Sequence, residues 1–230
     1  MDVRNETLNY TQDILLVPNK GTKEILKEIN IYKYVKRILD FSLSLIGLIV
    51  LSPIFLVVAI LIKKESDGPV FFKHKRIGKN GKEIGIYKFR SMVPNAEELI
   101  KKFTPEQMKE FKENFKLEND PRITKIGKFL RKTSLDELPQ LINILKGELS
   151  IIGPRPVIKE ELEKYGNNKE KFLSVTPGLT GYWAANGRSD TTYEQRMMME
   201  LYYVDNLSFR LDIKVFLKTV VSVLKKEGAK

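Results

Sequence analysis

The stretch FSLSLIGLIVLSPIFLVVAILI, Phe41 to Ile62, restricts what this chain can fold into more than any other feature. It carries no charge and is long enough for a membrane span, since a helix needs about 20 apolar residues to cross a bilayer core. Two details separate it from an ordinary span. Lys33, Lys36 and Arg37 precede it and Lys63 and Lys64 follow it, whereas basic residues concentrate at the cytoplasmic end of a span, so both ends read as cytoplasmic. Ser52-Pro53 lies at its middle. A proline there frees a backbone carbonyl and kinks the helix, and the serine hydroxyl can satisfy part of what is freed. A helix-break-helix that enters one leaflet and returns accounts for both details. A kinked helix that crosses the bilayer is the alternative, and these residues alone leave both open.

The remaining chemistry is bounded by what is missing. With 40 Lys and Arg against 29 Asp and Glu, the net charge is +11, which suits an anionic partner: nucleic acid, an anionic leaflet or a phosphorylated substrate. There is no cysteine and one histidine, His74. A thiolate metal site and a cysteine nucleophile are therefore excluded, and catalysis would rest on carboxylates, Lys, Arg and a hard cation. The N-terminus starts acidic and holds only the short apolar run ILLV, which does not read as a secretory signal.

After the apolar run, GPVFFKHKRIGKNGKEIGIYKFRSM reads as a β-hairpin, with Asn80-Gly81 as a two-residue turn between Val70–Arg76 and Glu83–Phe89. Lys88 and Arg90 alternate with Tyr87 and Phe89, so both cations are expected on one face. Asn95 opens one helix, and Thr104-Pro105-Glu106-Gln107 opens another with a capping box. Its stripe of Met108, Phe111 and Phe115 suits core or membrane interface. GPRP, Gly153 to Pro156, and TPGLTGYW, Thr176 to Trp183, carry the punctuation of tight loops. Near the end, Ile213, Phe216, Leu217, Val220, Val221 and Leu224 oppose Lys214, Lys218 and Lys225. That is a basic amphipathic helix, facing either core or anionic lipid.

KTSLDELPQL, Lys132 to Leu141, places Asp136 and Glu137 between a basic run and Pro139. Ser134-x-x-Glu137 matches a capping box, but a helix capped by Ser134 would put Pro139 at the fifth helical position, where it clashes. A helix starting at Asp136 fits Pro139 better, and a helix N-terminus also binds phosphate.

Taken in order, KRILD, LSP, IYKFRSM, DPRITKIGKFLRKTSLDELPQL, LSIIGPRP, TPGLTGYWAANGR and YYVDNLSFRLDIK give the chain from about Tyr34 to Lys226 a resemblance to the monotopic phosphoglycosyl transferases. These bacterial sugar transferases load a sugar phosphate onto a polyprenyl phosphate. The resemblance implies an α+β, mainly helical fold: a reentrant helix broken at Ser52-Pro53, amphipathic interfacial helices and a small β-hairpin. It implies three segments, a polar extension over 1–30, the membrane helix over 31–66 and a catalytic domain over 67–230 on the cytoplasmic face of the bacterial membrane.

The resemblance further implies that Asp136 attacks the sugar-bearing phosphate of a UDP-sugar and releases UMP. Undecaprenyl phosphate then takes the phosphosugar from the aspartyl intermediate. Glu137, with Asp136, would hold Mg²⁺. Lys88, Arg131, Arg155, Arg188 and Asp212 match positions that bind phosphate or substrate. The chain departs from the family pattern at Glu200, where aspartate is common, and at Ala184-Ala185 before NGR. GRSDTTYEQR is more similar to the branch that transfers galactose or glucose, for a surface glycan such as a capsule or exopolysaccharide. Lacking a multi-span N-terminal domain, the chain resembles the short, catalytic-core form, and the reading allows a homodimer.

Two other classes fit less of the sequence. A non-enzymatic basic membrane adaptor leaves the cluster of Arg131, Asp136, Glu137 and Arg155 without a role. Nucleic-acid binding would explain the charge but gives Phe41–Ile62 nothing to do, so no nucleic-acid partner is expected.

Overall fold

Helix α1, Thr22–Glu65, carries the apolar run. The computed structural model describes residues 22–114, 117, 120–187 and 191–224, and these fall into two units divided between Val35 and Lys36. α1 begins at Thr22, inside the segment over 1–30 expected as a polar extension. Ser52-Pro53 does not split α1 in two, because helical geometry continues across Pro53. The reason is local: Pro53 cannot donate to the Ile49 carbonyl four residues back, and the Ser52 hydroxyl donates to it at 2.8 Å. The most apolar 18-residue window of α1 has a mean hydropathy of 3.1 and is 11% buried, whereas the core helix of a soluble protein would be mostly covered.

In the second unit, both flanks of the apolar run dock on the same small body. At the start, three residues of KRILD make the attachment. Lys36 Nζ donates to Asp212 Oδ2 at 2.8 Å, and Arg37 donates to the Ile144 and Leu145 carbonyls at 2.6 and 2.7 Å. Asp40 Oδ1 accepts from the Ile151 N–H at 2.9 Å. At the other flank, Val58 and Ile62 are buried with Phe89 and Leu130, and Phe55, Leu135 and Leu138 pack around them. Each such burial contributes about 1.5–3 kcal/mol. Between the flanks Ile49, Val50, Leu56 and Val57 are exposed.

Strands β1, Phe71–Ile77, and β2, Glu83–Phe89, pair antiparallel, with Phe72 opposite Lys88 and His74 opposite Ile86. The connection is longer than a two-residue turn. Gly78 N–H bonds the Lys82 carbonyl at 2.8 Å, leaving Lys79, Asn80 and Gly81 between them. Asn80 and Gly81 both have positive φ, the conformation their sequence favours. β2 ends at Phe89, so Arg90 does not follow Lys88 onto its face. Its guanidinium donates instead to the Asp67 carbonyl and, at 2.8 Å, to the Ser66 carbonyl.

Helices α2, Ala96–Ile100, and α3, Pro105–Asn114, follow. The capping box of α3 forms: Thr104 N–H bonds Gln107 Oε1 at 3.1 Å and Gln107 N–H bonds Thr104 Oγ1 at 3.2 Å. In its stripe Phe111 meets the Arg122 guanidinium 4.9 Å from its ring centroid, and Phe115 lies outside the described residues. Then come α4, Lys125–Lys132, a 3₁₀ turn over Leu135–Glu137 and α5, Gln140–Lys146.

A second sheet, which the loop-like Pro and Gly punctuation conceals, pairs β3, Ser150–Ile152, in parallel with β4, Gly178–Thr180. Short helices α6, Lys159–Glu163, and α7, Lys169–Leu173, lie between them in sequence. After β4 come α8, Tyr182–Asn186, α9, Tyr193–Asp205, and α10, Phe209–Leu224. On α10 the apolar residues Ile213, Phe216, Leu217, Val220 and Val221 are exposed. Core packing is therefore not their role.

Candidate active site

The two strands of the hairpin bring chemistry to one place because α5 holds the free edge of β2. Asn143 on α5 is fully buried. Its Oδ1 accepts from the Tyr87 N–H at 2.9 Å, and its Nδ2 donates to the Gly85 carbonyl at 2.8 Å. A side chain thus satisfies backbone groups that a strand edge would leave unpaired. The next residue on that strand, Lys88, reaches Glu137 Oε1 at 2.6 Å and Asp136 Oδ2 at 3.7 Å.

Asp136 does not begin an α-helix, and the Ser134 capping box does not form. Ser134 takes a left-handed conformation, φ 56°, with no side-chain cap bond. The 3₁₀ turn that follows carries the dyad, and α5 starts only after Pro139. Proline as the residue before the first helical turn loses nothing by lacking an N–H. Asp136 is buried, and that burial pushes its carboxyl above the ordinary aspartate value, with Glu137 adding to the rise; Lys88 first and Arg131 second oppose it. Lys88 is thus the main cation favouring the carboxylate. Arg131 Nε donates to Ser91 Oγ at 2.9 Å.

Beside the dyad a pocket opens, lined by Lys88, Glu137, His74, Arg76, Arg155, Trp183 and Glu200 among others. Arg155 is presented by the GPRP loop, which β4 clasps. Gly153 N–H bonds the Thr180 carbonyl at 2.9 Å and Gly178 N–H bonds the Pro154 carbonyl at 2.8 Å. The approach is too close for side chains: a Cβ on Gly178 would stand 2.1 Å from Gly153 N, and one on Gly181 would stand 2.2 Å from the Gly153 oxygen. Glu200 Oε1 accepts from the Arg155 N–H at 3.1 Å. The Arg155 guanidinium lies 5.9 Å from the Trp183 ring centroid.

Lys88, Arg131, Arg155, Asp136 and Glu137, the residues whose motifs point to the site, lie around the dyad and its pocket. Asp212 is not among the residues that line this pocket, and it accepts from Lys36 and, at 2.6 Å, from the Tyr203 hydroxyl. Arg188 lies outside the described residues. His74 and Arg76 were not assigned to the site. Their signal was the strand alternation that puts both on the face of Lys88 once the register is known. Arg76 Nη1 donates to His74 Nε2 at 2.6 Å. That ring is neutral, because burial, then Arg76, Lys88 and Arg155, lower its pKa to about 4.

Among the described residues no group of three or more acidic or histidine side chains gathers to hold a metal. The donor set still fits Mg²⁺, which takes one or two carboxylates and completes its shell with water and substrate phosphates. Glu137 lines the pocket next to Asp136.

A long, largely uncovered apolar helix docked to a small α+β body, with a buried Asp136 and a half-buried Glu137 beside a pocket lined by cationic side chains, defines a class: an α+β protein that carries one apolar helix and a site suited to an anionic ligand. The chain belongs to the bacterial sugar transferase family, whose profile matches residues 31–226. It is 42% identical over 200 residues to the undecaprenyl-phosphate galactose phosphotransferase of Salmonella typhimurium, covering 86% of this chain and 42% of that protein. Over 197 residues it is 43% identical to exopolysaccharide production protein ExoY of Sinorhizobium fredii, covering 84% and 87% of the two chains. Over 207 residues it is 36% identical to the UDP-N-acetylgalactosamine-undecaprenyl-phosphate N-acetylgalactosaminephosphotransferase of Aeromonas hydrophila, covering 87% and 46%. The chain thus spans less than half the length of the Salmonella and Aeromonas relatives.

Proposed function

We propose that this protein transfers hexose 1-phosphate, galactose or glucose, from a UDP-sugar to undecaprenyl phosphate and so starts a surface glycan. The observation that carries the reading is the buried Asp136 beside Glu137 and Lys88, the last two of which line a pocket together with Arg76, Arg155 and His74. Phosphoryl transfer needs a nucleophile in line and fixed cations on the equatorial oxygens. Substrate phosphates brought to this pocket would meet both. The family match and the name of the Salmonella relative support the substrate class and favour galactose.

In this mechanism an Asp136 oxygen attacks the sugar-bearing phosphorus. A phosphorus–oxygen bond forms, the bond to the bridging oxygen breaks, and UMP leaves with that electron pair. A phosphate oxygen of undecaprenyl phosphate then attacks the same phosphorus, and the aspartyl bond breaks to return the carboxylate. Lys88 and Arg155 neutralise the diphosphate, and Lys88 opposes the rise that burial imposes on the Asp136 carboxyl. Mg²⁺, held by Glu137 and Asp136, would supply further charge neutralisation on the diphosphate. Arg76, with neutral His74 holding its guanidinium, offers a fork suited to phosphate.

The same reading places the protein on the cytoplasmic face of the bacterial membrane, with α1 bent by a kink at Pro53, rather than split there, so that it enters one leaflet and returns. Docking of both flanks of the apolar run on one body supports that topology, as do the exposed apolar face of α10 and the basic residues beside it. Labelling of single cysteines at Asn30 and Ser66 from opposite sides of the membrane would refute it. For the activity, the test is UMP release from a panel of UDP-sugars by detergent-solubilised protein, with and without undecaprenyl phosphate and Mg²⁺. Release dependent on both, and lost in Asp136→Asn, is expected. No release with any donor from folded protein would overturn the transferase reading.

A further inference from the structure

The far side of the pocket carries chemistry that the transfer step does not use. Glu200 projects from α9 and is 1% exposed. One carboxylate oxygen, Oε1, receives the Arg155 N–H at 3.1 Å. The other, Oε2, is buried without a hydrogen-bond partner. It stands over the pocket wall, 3.9 Å from where a Cβ on Gly181 would be, and Gly181, Trp183, Ala184 and Glu200 line the same space.

Positioning the Arg155 loop needs only an acceptor at Oε1, which a neutral amide would also supply. A buried second carboxylate oxygen is costly unless a donor reaches it. Among the described residues no donor reaches it, and burial outweighs the Arg155 N–H and the nearby Arg196 and Arg155 charges to drive the Glu200 pKa up to about 7. The group therefore favours any ligand that brings an O–H or N–H to that point.

We propose that Glu200 is a specificity-determining residue whose Oε2 accepts a hydrogen bond from a neutral donor of the bound nucleotide sugar, either a sugar hydroxyl or the uracil N3–H. This rests on the transferase reading for the identity of the ligand. Trp183, whose ring centroid lies 4.8 Å from the Arg196 guanidinium and 5.9 Å from that of Arg155, lines the same pocket. Rejection of a ligand lacking the matching donor is strong in such sites, because the buried acceptor is then left unpaired.

The test is calorimetric binding of UMP, UDP-galactose and UDP-glucose to the full chain in detergent, without lipid acceptor, for wild type and Glu200→Gln. Glutamine keeps an acceptor for the Arg155 N–H and replaces Oε2 by an amide donor. Weakening of UDP-sugars by about 10- to 100-fold with UMP unchanged assigns the sugar hydroxyl. Equal weakening of UMP assigns the base. As a measurement that needs no variant, wild type is titrated with deoxysugar analogues and with N3-methyl-UMP, and loss of one donor should cost the same factor. Binding within twofold for the variant and for every analogue overturns the proposal, even where turnover confirms the transferase. Glu200-dependent binding without turnover on any donor would leave the proposal standing and overturn the transferase reading. A wild type that binds none of the ligands overturns both.

Discussion

Removing the Asp212 carboxylate should cost stability rather than substrate affinity. Its Oδ2 receives the Lys36 ammonium at 2.8 Å, with side chains 10% and 17% exposed, and its Oδ1 receives the Tyr203 hydroxyl at 2.6 Å. At an effective dielectric of about 20 two unit charges at that separation attract by roughly 6 kcal/mol, most of which offsets the cost of desolvating them. The measured consequence of deleting one partner from such a buried pair is larger than the net worth of the pair, at about 3–5 kcal/mol, because the other charge is left behind. Asp212→Ala should therefore lower stability by about that amount. For a chain of 230 residues that corresponds to roughly 10 °C in Tm. Asp212→Asn, which keeps the shape and one acceptor, should lose about half. Thermal unfolding in detergent gives the stability, and donor KM measured well below the transition gives the affinity. A Tm unchanged within about 2 °C together with a raised KM would refute the reasoning and return Asp212 to the substrate.

Lys88→Met should remove the main charge opposing the rise of the Asp136 pKa. UMP release should drop at least about 100-fold, and its acid limb should move to higher pH, since Asp136 must be ionised to attack; an unmoved limb would argue against Lys88 in that role. His74, neutral in the fold with its pKa lowered to about 4, gains a proton in the unfolded chain below about 6.5. Stability should therefore be fullest above that pH and fall as pH drops toward 4, and His74→Asn should flatten this part of a pH-resolved unfolding series. Gly178→Ala forces a Cβ to within 2.1 Å of Gly153 N, so it should cost at least about 3 kcal/mol and abolish UMP release. Gly85→Ala, with its nearest neighbour at 3.5 Å, should by chemical denaturation prove far milder.

Much of the site was legible from the residues, for definite reasons. The apolar run, the KTSLDELPQL dyad and the basic hairpin are local patterns, and family motifs tied Lys88, Arg131 and Arg155 to the dyad before any distance was known. Helix starts were less legible. The 3₁₀ turn at Leu135–Glu137 wins over an α-helical start because Ser134 is held at positive φ, which no pattern in the sequence announces. The parallel β3–β4 pair was hidden because glycines needed for close backbone approach look like loop residues when read singly.

By itself the sequence determined that one long apolar helix must find an apolar environment, that catalysis has carboxylates and cations but no thiolate to use, and which short motifs carry them. Only the tertiary structure decided that Glu137 and Lys88 touch, that His74, Arg76 and Glu200 share their pocket, and that Asp212 anchors α1 to α9 and α10. The physical reason is range. Periodicity and capping act over a few residues, whereas the partners at this site are separated by 49 positions for Lys88 and Glu137 and by 176 for Lys36 and Asp212, and what brings them together is the packing of buried side chains between elements.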